Sequence, residues 1–85
     1  MMPVYYFHLQ SGDSVTEDPE GTELPDLQMA RQYAVFAAKE LLANALKWGR
    51  MEPPDRVFVL DEEGRELLTV FMTDVLPNSL KKHIR

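Results

Sequence analysis

The residues of this chain able to do chemistry are few. Asp13, Glu17, Asp18, Glu20 and Glu23 form a dense carboxylate group. Clustered carboxylate oxygens are what Ca²⁺ or Mg²⁺ would want. The spacing does not follow the D-x-[DN]-x-[DN]-G-x₅-E pattern of a calcium loop. On an extended segment, successive acids would also point to opposite sides. A solvated acidic hairpin that discourages edge pairing is the plainer reading. His8 and His83 are the only histidines and there is no cysteine, so a zinc site lacks ligands. His8 as a general base would need an orienting carboxylate from a neighbouring strand. Flanked by tyrosines, it reads instead as a half-buried strand residue. Ser11, Ser14 and Ser79 lie in turns or the tail, outside any G-x-S-x-G elbow. Gly12, Gly21, Gly49 and Gly64 are isolated and make no phosphate-binding loop. No catalytic residue, cofactor or metal site is expected.

The elements that would position these groups follow from periodicity. "VYYFHLQ" (4–10) alternates Tyr5, Phe7 and Leu9 against Val4, Tyr6 and His8, which predicts a strand. "SGD" turns the chain, "SVTED" (14–18) returns as a weak strand, and "DPEG" ends it. From Asp26 to Trp48 there is neither Gly nor Pro. Leu27, Ala30, Ala34, Ala38, Leu41, Ala45 and Trp48 recur every three or four residues, one stripe of a helix. Pro25 and Asp26 suit its start and Gly49 its end. "RVFVL" (56–60) and "RELLTVFM" (65–72) predict a second hairpin around "DEEG", with a helical turn at 73–76 to follow. Val57 and Val59 share a face, as do Leu68, Val70 and Met72. Phe58, Leu60, Leu67 and Phe71 take the other.

The expected fold is α+β: a ββαββ chain whose two hairpins form one four-stranded antiparallel sheet packed on one long helix. Residues 1–76 make one domain and 77–85 a short basic tail. One helix covers one face of such a sheet. The aromatic content of the other face argues for a partner, with Tyr6, His8, Phe58, Phe71 and Met72 as candidate interface residues.

Composition narrows the functions. The chain has 85 residues, 14 acids against 9 Lys and Arg, and a net charge of −5. A domain of this size buries roughly 60–65% of its unfolded surface, so self-association would be a natural supplement to its stability. Residues 1–26 carry six acids and no Lys or Arg, which disfavours nonspecific binding to phosphates. There is no run long and apolar enough to span a membrane, and no export signal at the start. A cytoplasmic protein is expected, without disulfides.

The pieces "YYFHL", "DPEGTELPDLQMARQYA" and "VFVLDEEGRELLTVFMTD" together cover most of residues 4–76. In them the chain resembles a family of very small bacterial proteins of unknown function, abundant in rhizobia and related alphaproteobacteria. The resemblance implies a cytoplasmic bacterial protein and no catalytic or binding residues. "PNSLKKHIR" lies outside it.

Two functions are carried forward. One is a non-enzymatic protein-interaction module, a homodimer. The alternative is a small regulator that binds nucleic acid through Lys47, Arg50, Lys81, Lys82 and Arg85, although nucleic acid is the less favoured partner.

Overall fold

The computed structural model describes residues 2–49 and 53–75, the side chain of Trp48 excepted. The element order is β1 (Val4–Ser11), β2 (Ser14–Thr16), β3 (Thr22–Glu23), α1 (Leu27–Trp48), β4 (Arg56–Leu60), β5 (Glu66–Phe71) and α2 (Met72–Val75). The sheet is antiparallel and runs β2-β1-β4-β5, with β3 pairing the start of β1. The α+β class and the long helix are as expected. Among the described residues the sheet has five strands rather than four, because the segment after β2 returns to the start of β1 as β3.

α1 forms where the sequence is free of breakers. The Asp26 carboxylate caps its start by accepting the Met29 N–H at 2.9 Å. Gly49 ends it at φ 66°, donating its N–H to the Ala45 carbonyl. Ala30, Ala34 and Ala38 are fully buried, so the helix axis lies close to the sheet. Beneath them sit Tyr5, Val57, Val59 and Val70. Leu41 is half-buried at the margin of this core, and Leu27, expected in the stripe, is exposed.

Two expectations about β5 are corrected. A bulge opposite Val59 and Leu60 lets Leu68 pair with Val59 and Glu66 with Leu60, so Leu67 is an extra, exposed residue. The strand stops at Phe71, one residue short. Met72 opens α2, donates its N–H to the Asp55 carbonyl and is buried in the helix-side core. The basic tail, with Lys81, Lys82 and Arg85, and also Arg50 lie outside the described residues.

Candidate functional site

The sheet face away from α1 carries Val4, Tyr6 and His8 on β1 and Arg56, Phe58 and Leu60 on β4. Sequence reasoning left this face needing a partner. In the structure much of it is covered by the chain itself, by two polar devices.

The first is the loop between β2 and β3. Leu9 pairs with Thr16 and Tyr5 with Thr22, so the three residues 6–8 of β1 face the five residues 17–21. The excess leaves the Phe7 N–H without a strand partner. The Asp18 carboxylate takes it at 3.2 Å, and its other oxygen accepts the N–H groups of Glu20 and Gly21 at 3.2 and 3.1 Å. Burial works against ionisation of Asp18. The three backbone donors and the charge that His8 carries when protonated outweigh it, and the carboxyl is held below its ordinary range. One side chain thus stands in for a missing strand residue. Gly21 then passes close over the sheet at φ 73°. A Cβ there would lie 2.6 Å from Val4 Cγ1 and 2.9 Å from Tyr6 Cε2. Glycine is required on both counts.

The second device is Arg56. Its guanidinium lies 4.2 Å above the centre of the Phe58 ring. Nε donates to Gln10 Oε1 at 2.6 Å, and Nη1 donates to Thr69 Oγ1 at 3.1 Å and to Glu66 Oε2 at 3.3 Å. The Thr69 hydroxyl donates to the same Glu66 oxygen at 2.6 Å. That bond lowers the Glu66 pKa, burial opposes it, and the Arg56 charge adds to the lowering. The long side chain therefore covers an aromatic ring while its head stays hydrogen-bonded.

These devices decide the standing of the five candidate residues. Phe58 is buried under Arg56, and His8 is buried edge-on to it with ring centres 5.4 Å apart. His8 Nδ1 accepts the Asp18 N–H at a long 3.5 Å, and Nε2 is 4.0 Å from Glu17. Tyr6 is half-buried beside Gly21. Met72 lies on the opposite side of the sheet, in the core. Of the five only Phe71, 50% exposed at the β5 edge, offers a largely open ring. The structure does not gather them on one surface. Among the described residues no three His, Asp or Glu side chains converge as metal ligands would.

Uncovered apolar area lies elsewhere, on the back of α1. Phe36 is 60% exposed, Tyr33 43% and Met29 41%. Spacings of four and three residues place the three on one outer flank, turned away from the alanines. Tyr33 also rests against the half-buried Phe7, with ring centres 4.7 Å apart. Sequence reasoning missed this flank, along with Asp18 and Arg56. Its signal was present in the 29-33-36 spacing but was overshadowed by the stronger alanine stripe.

A small α+β domain is thus defined, with an alanine-faced helix on one side of its sheet and a self-made polar cover on the other. The chain belongs to the family described as Domain of unknown function (DUF6894), which matches residues 4–73. Comparison with curated proteins and with solved structures found no match. No helix among the described residues is long and apolar enough to cross a membrane.

Proposed function

We propose that this domain is a non-enzymatic protein-interaction module of the bacterial cytoplasm that works as a homodimer, joined through the outer flank of α1. The observation that carries the reading is that α1 is apolar on two flanks, and the sheet covers one of them. A helix apolar on both sides is normally buried on both sides.

The flank suits a second copy of itself. Met29, Gln32, Tyr33, Phe36, Lys39, Glu40 and Ala43 run along it, symmetric about Phe36. Crossed antiparallel on a two-fold axis, Phe36 meets Phe36, Tyr33 meets Lys39 and Gln32 meets Glu40. No like charges oppose each other, and a lysine beside a tyrosine ring is favourable. The contact is isologous and closes at two chains.

Sedimentation equilibrium of the wild type and of Phe36→Ser tests the proposal. The wild type should dimerise at micromolar concentrations. The variant should keep the wild-type circular-dichroism spectrum and lose affinity about tenfold or more, the equivalent of about 1.4 kcal/mol. A wild type that stays monomeric at high micromolar concentration, or a variant that dimerises equally well, overturns it.

A further inference from the structure

Beside the Phe36 flank, the row of α1 that borders β5 carries different chemistry. Arg31, Val35 and Lys39 lie four residues apart along a groove of about 420 Å³, closed on its far side by Val70, Asp74 and Val75. Arg56 and Arg65 are ion-paired, to Glu66 and to Asp61 and Glu63. Arg31 and Lys39 have no ion-pair or hydrogen-bond partner among the described residues. Eight residues of helix put their Cα atoms about 12 Å apart, with Val35 midway. In a chain of net charge −5, this is a basic groove with an apolar centre. Asp74 on the far wall accepts the Phe71 N–H at 3.4 Å and offsets part of the charge.

The chain itself carries the complement. Val15 is the middle residue of β2, with Asp13 in the turn before the strand and Glu17 just past its end. Val15 is 47% exposed and pairs with Gln10, and Glu17 comes within 4.0 Å of His8, so both lie on the face away from α1. The acids stand two residues to either side of the valine, at most about 13 Å apart at full extension. Acid–valine–acid about β2 repeats the order of cation–valine–cation on α1 and opposes it in charge.

We infer that the α1–β5 groove of one copy receives the β2 edge of another, with Asp13 and Glu17 on Arg31 and Lys39 and the two valines in contact. β2 and β5 are opposite edges of the sheet, so the contact is head-to-tail. Such a contact can repeat, giving a ring or an open row instead of closing at two. It shares Lys39 with the Phe36 flank, and the two contacts compete for that side chain.

Charge exchange tests it. Arg31→Glu/Lys39→Glu takes the net charge from −5 to −9, and Asp13→Lys/Glu17→Lys takes it to −1. All four positions are exposed, and equal melting curves confirm that both variants fold. One variant, fluorescently labelled, is titrated with the other and with itself at low salt. The mixed pair should bind about tenfold or more tighter than either variant binds itself, and the gain should vanish in about 1 M salt, where charges are screened within about 3 Å. Net charge cannot produce this order, since the least repelled combination is the −1 variant with itself. A dimer through Phe36 loses its Lys39–Tyr33 contact only where Lys39→Glu is present, so it would be tightest in the −1 variant with itself and cannot produce the gain of the mixed pair. A mixed pair no tighter than the self-pairs, or a gain indifferent to salt, overturns the inference.

Discussion

The two faces of the sheet solve one problem in different ways. Both present apolar side chains from β1 and β4. On the α1 side these are covered by Ala30, Ala34 and Ala38, side chains with no rotamer freedom to lose, packed against valines. On the other side the cover is polar: a loop held by one carboxylate, and an arginine lying over a phenylalanine. Apolar contact is non-directional, so the helix side depends on volume. The loop side depends on a few bonds to named atoms. An apolar sheet face is therefore no evidence of a missing partner until the chain's own loops have been accounted for. The helix, whose outer flank has no such cover, is the better guide.

This contrast can be broken from either side. The largest effect belongs to the helix-side core. Met72→Ala removes a buried side chain between α1 and the sheet and should cost about 2–5 kcal/mol in urea unfolding. A loss below about 0.5 kcal/mol, the range of ordinary surface substitutions, would place Met72 outside the core.

Gly21→Ala comes next. It puts a Cβ against Val4 and Tyr6 and forces a side chain into the left-handed region, at about 1–3 kcal/mol. The amide signals of Tyr6 and His8 should shift, while those of α1 stay in place. A neutral substitution would mean that the loop does not lie on the sheet.

Asp18→Asn should cost somewhat less, about 1–2 kcal/mol, since one amide oxygen replaces two charged acceptors. The pH dependence carries a sign. The Asp18 carboxyl is depressed in the folded state, so its contribution is complete above the unfolded value near 3.8 and is lost as pH falls through the folded value. Wild type and variant should therefore converge in stability in strong acid and differ at neutral pH. A gap that persists unchanged into acid would show that the carboxylate is not the clamp.

Much of this architecture can be read from particular residues. Asp26, the uninterrupted run to Trp48 and Gly49 define α1 almost to the residue, because caps and breakers act locally. The alternation in 4–10 and 56–60 places Tyr5 and Val57 on one face and Tyr6 and Phe58 on the other. β3 escaped because Thr22–Glu23 is too short to show a period. The clamp escaped because it joins Asp18 to an N–H 11 residues away, exposed only by a register mismatch between strands. Met72 escaped because the chain turns after Phe71, and period-two counting does not survive a turn. The candidate interface followed from treating the face beyond α1 as bare, which Arg56 and Gly21 show it is not.

The uncovered flank of α1, on this reading, joins two copies about Phe36. The chain has no cysteine, so an introduced thiol reports on its own position only. Phe36 is left in place: Gln32→Cys is mixed with Glu40→Cys, two exposed positions that meet across the axis, while Phe71→Cys and Tyr6→Cys are each oxidised alone, all under mild oxidation at equal concentration. Rapid cross-linking of the 32–40 pair and slow reaction of the other two are expected. Fast cross-linking at position 71 or 6, with the 32–40 pair slow, would contradict the dimer through α1 and return the interface to the sheet.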